Sequence, residues 1–142
     1  MDQFIQTVKE HEGYSSCVYQ DSLGYFTIGY GKMVDKRKNG GLTESQASYI
    51  LNDELQSARA SLQSFQWFNA MDEVRQDVIV ELCFNIGLQG VLKFHNMIAA
   101  ITAKDYATAS NCLLDSLWCR QVGTTRSDNM ALRLKDGFYA SF

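Results

Sequence analysis

Between Cys17 and Gly31 the spacing of apolar residues changes from helical to strand-like, while the rest of the chain keeps a helical pattern. Cys17-Val18-Tyr19 and Tyr25-Phe26-Thr27-Ile28 are short β-prone runs with Asp21-Ser22-Leu23-Gly24 between them, which is a hairpin signal. One small antiparallel sheet set into a helical chain predicts an α+β fold. The sequence contains no proline, so its turns must rest on Gly, Asn, Asp and Ser.

Residues 3–12 read as a first helix, with Phe4, Ile5 and Val8 on one face and Gly13 as its stop. After a polar loop at 35–41, Thr43 and Gln46 form a capping box that starts a helix over about 44–62. Ala47, Ile50, Leu51, Leu55, Ala58 and Leu62 mark its apolar face. A second strong helix covers about 70–86, with Val74, Val78, Ile79, Leu82 and Ile86 inward and Gly87 closing it. Shorter helices are predicted near 91–101, 105–117 and 127–136, the last capped by Ser127. The expected organisation is one domain over 1–142. A β-rich lobe of about 14–42 is bridged by the helix at about 44–62 to a helical lobe of about 63–142, which also takes in the N-terminal helix. A cleft between the lobes would admit a polymer.

Composition narrows the function classes. At 142 residues, 46% hydrophobic and 20% charged, there is enough apolar material to offset the entropy of ordering. A net charge of −3 counts against a general nucleic-acid binder. No apolar stretch approaches the length of a membrane span, so no membrane insertion is expected. Met1 leads into an acidic amphipathic segment rather than a basic region and an apolar run, so the reading is a protein made in the cytoplasm without a signal peptide. A substrate beyond the membrane would then require a delivery route. Cys17, Cys83, Cys112 and Cys119 form no C-x-x-C pair, and His11 and His95 do not lie near them at metal-ligand spacing. They read as reduced, partly buried thiols, with a Cys112–Cys119 disulfide as the alternative in an oxidising compartment.

Three residues suggest chemistry, each with a plainer reading beside it. On a helical wheel Glu12 lies near Ile5 and Val8, in the last turn, where the helix dipole disfavours negative charge. Both effects favour the protonated form that a general acid needs; the plainer reading is a helix-edge Glu reaching solvent. Asp21, with Gly three residues on, is also ordinary turn chemistry. Along an extended strand Thr27, Gly29 and Gly31 would share a nearly bare face, with Phe26, Ile28 and Tyr30 on the packing face. That bare face suits a sugar ring and one positioned water, or else marks a bulge or tight packing. Two carboxyl groups flanking a glycosidic bond, one to protonate the leaving oxygen and one to act on water or the sugar, are what a glycosidase requires.

With Glu12-Gly13, Asp21 nine residues on and Thr27 six further, inside Gly24-Tyr25-Phe26-Thr27-Ile28-Gly29-Tyr30-Gly31, the chain resembles the phage-type lysozymes, the T4 lysozyme-like endolysins of glycoside hydrolase family 24. The resemblance extends through Gly41-Leu42-Thr43 with Gln46-Ala47, Phe84-Asn85-Ile86-Gly87, Gly90-Val91 to Phe94 and Asn96, Trp118 and Arg126. It implies the lysozyme fold and a muramidase. Such an enzyme cleaves the β-1,4 bond between N-acetylmuramic acid and N-acetylglucosamine, without cofactor or metal, in bacterial cell lysis. It implies Glu12 as general acid and Asp21 and Thr27 as holders of an attacking water, hence inversion. Gly29, Gly31, Phe84, Asn85 and Trp118 are implied as glycan-binding residues, Trp118 being the one most readily explained as core. The partner implied is peptidoglycan, met by a monomer that reaches the periplasm through a holin or another export system. An inactive glycan-binding module is the alternative. Lys32 stands where the family often has His, and Leu23 and Leu117 stand where its best-known member has an acid and an arginine.

Overall fold

The computed structural model describes residues 2–139; the side chains of Asp2 and of Phe4, an expected apolar position of the first helix, lie outside the described residues. Eight helices and one three-stranded antiparallel sheet occur among them, so the α+β class read from the sequence holds. The chain divides between Ile50 and Leu51 into two compact units, and one helix runs through the division.

The first unit opens with helix α1 (Asp2–Glu12). Gly13 ends it at φ 72°, and its N–H donates to the Lys9 carbonyl at 2.9 Å. This is the left-handed cap that glycine adopts without a Cβ penalty. Strands β1 (Ser15–Gln20) and β2 (Phe26–Gly29) pair antiparallel, with Tyr19 opposite Thr27 and Gln20 opposite Phe26, and with an irregularity between Ser15 and Tyr19. A third strand, β3 (Lys32–Met33), adds to the other side of β2. Sequence reading missed it, because two residues are too few to show a period.

The loop after β3 is organised by charge. Asp35 accepts from the Arg37 amide at 2.7 Å and pairs with its guanidinium at 2.6 Å, and Arg37 also donates to the Gly41 carbonyl. Asn39, at φ 54°, donates its N–H to the Gly24 carbonyl at 2.8 Å, which ties this loop to the hairpin turn. The capping box then forms as expected: the Thr43 N–H donates to Gln46 Oε1 and the Gln46 N–H to Thr43 Oγ1, at 2.9 and 3.2 Å. Helix α2 (Glu44–Leu62) follows.

The second unit holds the rest of α2, α3 (Gln66–Asn69), α4 (Glu73–Leu92), α5 (His95–Thr102), α6 (Tyr106–Leu114), α7 (Leu117–Val122) and α8 (Thr124–Asp136). Its core contains Leu62, Phe68, Val78, Ile79, Leu82, Val91, Met97, Leu113, Met130 and Leu134. Burying each large aliphatic or aromatic side chain contributes about 1.5–3 kcal/mol. Gly87 does interrupt its helix, at φ 77° and ψ 164°, but the chain re-enters helical geometry and continues to Leu92. The expected helix at 105–117 ends earlier, at Leu114, and a separate helix, α7, starts at Leu117, where Ser116 caps it by accepting from the Cys119 N–H. Ser127 is not an N-cap. Helix α8 starts one turn earlier, after Gly123, and the fully buried Ser127 donates back to the Gly123 and Thr124 carbonyls. Ser favours both arrangements, and the packing of the first turn decides between them.

Arg75 joins three of these helices. Its guanidinium pairs with the α4 cap residue Asp72 at 2.7 Å and donates to the Leu134 and Lys135 carbonyls at the end of α8, at 2.7 and 2.6 Å. It also stacks 3.8 Å from the centre of the Tyr106 ring at the start of α6. Gly137, at φ 76°, closes α8, and a Cβ there would meet Arg75 at 2.7 Å.

Two outcomes follow from this framework. Arg75→Ala should lower unfolding free energy by about 2–4 kcal/mol in denaturant titration, since charge-assisted hydrogen bonds and a cation–π contact are lost together. In the first unit, the hydrogen bonds from Arg37 hold the Asp35 carboxyl down at about 2. The contribution of this pair is therefore complete above the ordinary carboxylate range and lost as pH falls through about 2. A carboxyl-detected NMR titration should place the Asp35 midpoint there, and Arg37→Gln should move it upward, short of the ordinary value because the residue-37 amide still donates to Asp35.

Candidate active site

Asp21, directly after β1, is the organiser of the hairpin. Its Oδ1 accepts from the Leu23 and Tyr25 amides at 2.9 and 2.8 Å, and its backbone N–H donates to the Tyr25 carbonyl at 2.9 Å. The Thr27 hydroxyl donates to that same Tyr25 carbonyl at 3.1 Å. The backbone of Tyr25 thus fixes Asp21 and Thr27 to each other. Sequence reading gave Tyr25 no role beyond the strand, because its contribution comes from the main chain and leaves no side-chain signature.

Thr27 differs from expectation in its surroundings. It lies on the central strand, flanked by Tyr19 and Met33 on the same face, and is only 4% exposed. The bare face does not extend as predicted, since Gly29 and Gly31 have φ of 70° and 73° and turn the chain out of strand geometry. Tyr30, expected to pack, is exposed. The two glycines also differ from each other. A Cβ on Gly29 would meet nothing within 4 Å, whereas a Cβ on Gly31 would lie 2.5 Å from Glu12 Oε2 and 3.1 Å from Glu12 Cδ. Gly31 is therefore the seat on which the Glu12 carboxyl rests. Glu12 itself, at the end of α1, is exposed rather than held on a buried apolar face, and Ile5 and Val8 are exposed too.

In the second unit Phe84 and Asn85 are exposed on the last turn before the break at Gly87. Trp118 is buried in the core, and its indole N–H donates to Asn85 Oδ1 at 2.7 Å. The Asn85 acceptor is thereby engaged and its amide hydrogens point to other uses. Phe84 also lines a cavity of about 530 Å³ with Leu55, Asp77, Glu81 and Arg126. Glu81 there bridges Arg126 at 3.2 Å and Arg133 at 2.6 Å, while Asp77 pairs with Arg59 and accepts from the Tyr139 hydroxyl. That hydrogen bond to Asp77, aided by desolvation, pushes the Tyr139 hydroxyl upward. None of Glu12, Asp21 and Thr27 lines this cavity.

Leu23 and Leu117 are exposed. Cys83 is buried, Cys17 exposed, Cys112 and Cys119 half-buried, and all four are free thiols. Among the described residues no group of three or more His, Cys, Asp or Glu side chains is placed to hold a metal ion. No single helix among them is long and apolar enough to cross a membrane.

A first helix ending in Glu12, a small sheet whose hairpin holds Asp21 and Thr27, and a helical body after them fit a glycoside hydrolase of the lysozyme class. Residues 9–133 match the phage lysozyme family, and the chain belongs to that family. Among its relatives, the pre-baseplate central spike protein of Enterobacteria phage T4 is 26% identical over 82% of this chain and 25% of its own length. The probable T4-type lysozyme 1 of Dictyostelium discoideum is 23% identical over 80% of this chain and 83% of its own. An endolysin of Acyrthosiphon pisum secondary endosymbiont phage 1 is 27% identical over 72% and 69% respectively. The chain thus spans a quarter of the spike protein and most of the other two.

Gly31→Ala should displace the Glu12 carboxyl, both by direct overlap and by the strain of a side chain at positive φ. The expected result is at least a tenfold fall in release of reducing sugar ends, since misplacement of about an ångström costs that much or more. Gly29→Ala, where a Cβ meets open space, should lose less.

Proposed function

We propose that this protein is a muramidase, hydrolysing the β-1,4 bond between N-acetylmuramic acid and N-acetylglucosamine with inversion at the anomeric carbon. The observation that supports the reading is the fixed pairing of Asp21 with Thr27 in the same unit that holds Glu12 against Gly31. Glu12 rests on Gly31, and Asp21 and Thr27 are locked together through Tyr25.

The hydrogen bonds support one orientation for an attacking water. Because the Thr27 hydroxyl gives its proton to the Tyr25 carbonyl, it is left to accept from a water. Asp21 Oδ1 is occupied by two amides, and Oδ2 is the oxygen that would accept the second proton of that water. Such a water has both protons engaged and a lone pair free for C1. Glu12 transfers its proton to the glycosidic oxygen as the C1–O bond breaks. The water oxygen bonds to C1 from the opposite face, and its proton passes to Asp21. Solvent exposure of Glu12 lets the acid regain a proton between turnovers.

Phe84 and Asn85 of the second unit offer an exposed ring and an amide that suit a glycan. Trp118 is a positioning residue that acts through Asn85. The reading extends to a monomer acting on peptidoglycan in the periplasm, delivered by a holin or another export route, a setting consistent with the name of the endolysin relative.

The test is a set of conservative replacements assayed on purified peptidoglycan. Glu12→Gln should cut the production of reducing ends by roughly 10²–10⁴-fold, the ordinary worth of a general acid. Asp21→Asn keeps a carbonyl oxygen to hold the turn but loses the anionic oxygen, so its activity should fall while its melting temperature holds. Thr27→Val should lose activity with the sheet intact. NMR of the first-formed product should show the α anomer. Full activity of Glu12→Gln would overturn the mechanism, and binding without any reducing ends from the parent would mark a glycan-binding module.

A further inference from the structure

Two tyrosines beside Glu12 have no part in the reaction outlined above. Tyr14 lies two residues after Glu12, and Tyr30 directly precedes Gly31, the residue on which the Glu12 carboxyl rests. They flank the Ser15–Gly29 end of the β1–β2 ladder. Their rings meet with centroids 5.4 Å apart at 45°, a tilted aromatic pair. Tyr14 is 69% exposed and Tyr30 45%. Lys9, one turn before Glu12 on α1, places its ammonium 5.4 Å from the Tyr30 ring centre.

We propose that Tyr14 and Tyr30 form a sugar-stacking platform that holds a pyranose ring of the glycan beside the Glu12 carboxyl, with Lys9 as a positioning residue for Tyr30. The proposal rests on the muramidase reading for the identity of the polymer. Tyr14 and Tyr30 differ from the other exposed hydrophobic residues in forming a ring–ring pair next to the Glu12–Gly31 contact. The pair is kept in a fixed geometry by the ring–ring contact and by the cation at Tyr30. β-linked amino sugars carry their ring substituents equatorially, so each ring presents a flat face of axial C–H bonds that fits an aromatic ring. With one neighbour of Tyr30 being Lys9, Tyr14 is the ring left most open to such a face. The backbone reinforces the placement. Gly13 and Gly31, both at positive φ, separate the two tyrosines from Glu12 by one reversed residue at each side.

The experiment measures co-sedimentation with purified peptidoglycan sacculi in a Glu12→Gln background, so that binding is read without digestion of the polymer. Adding Tyr14→Ala should weaken binding roughly fivefold to tenfold, the range of one aromatic contact. Tyr14→Phe should bind as the background does, because the ring and not the hydroxyl carries the contact. With Glu12 restored, Tyr14→Ala should raise KM with little change in kcat. Melting temperatures should match the parent, as the side chain is exposed. Equal sedimentation of the Tyr14→Ala and Tyr30→Ala proteins with their background would overturn the platform, as would absence of sedimentation by the background itself. Failure of the muramidase reading shows separately, as reducing ends that persist in Glu12→Gln or are missing from the parent.

Discussion

The hairpin of the first unit depends on a single carboxylate oxygen. Asp21 Oδ1 gathers the Leu23 and Tyr25 amides, closes the turn, and brings the Tyr25 carbonyl to where Asp21 and Thr27 both donate to it. A buried or half-buried amide without a partner costs about 1–3 kcal/mol, so the turn has strong reason to keep this acceptor. Both of these hydrogen bonds fall on Oδ1, so the turn-forming role of Asp21 leaves Oδ2 outside it, and a structural reading of this residue does not exclude the catalytic one proposed above. The polar loop at 35–41 extends the arrangement, since Asn39 donates to Gly24 inside that turn and the Asp35–Arg37 pair shapes the loop that presents it.

Around this hairpin, backbone conformation decides where side chains can stand. Gly13 reverses the chain after α1 so that Glu12 is the last helical residue, and Gly31 reverses it after β2 and leaves room for the Glu12 carboxyl. Glycine at Gly31 meets two conditions, a positive φ and a Glu12 carboxyl that an added Cβ would displace. At Gly29 only the first applies. The glycines in the Gly24-to-Gly31 segment therefore do different work, although they look alike in the sequence.

Legibility follows the range of the interactions involved. Gly13, the Thr43–Gln46 capping box, the hairpin at Asp21–Gly24 and the inward positions Val78, Ile79 and Leu82 could all be read, because each is set by residues within one or two turns of one another. The start of α8 could not, because Ser127 satisfies its hydroxyl equally well as a cap or inside a helix, and burial of the first turn settles the matter. The faces of β2 were misassigned for a related reason. Alternation assumes a straight strand with one wet face, whereas β2 is a four-residue central strand whose Thr27 is covered by Tyr19 and Met33. Glu12, Asp21 and Thr27, the residues proposed for chemistry, stand out in the sequence only as a spacing. The roles of Tyr25 and Gly31 are not legible there, since one acts through its main chain and the other through having no side chain.

The second unit shows how a buried residue can matter to an exposed one. Trp118 must find a partner for its indole N–H once its ring enters the core, and Asn85, on the rim of the break at Gly87, supplies it. The core therefore determines the rotamer of an exposed amide. The break at Gly87 falls two residues after Asn85, and Phe84 and Asn85 are exposed on the turn before it. Arg75 plays the corresponding part for stability, binding the start of α4 to the end of α8 and the start of α6, so that α4 is anchored at one end and free to present side chains at the other. Anchoring at Arg75 and the interruption at Gly87 thus act on opposite parts of one helix, the first through side-chain hydrogen bonds and the second through backbone conformation.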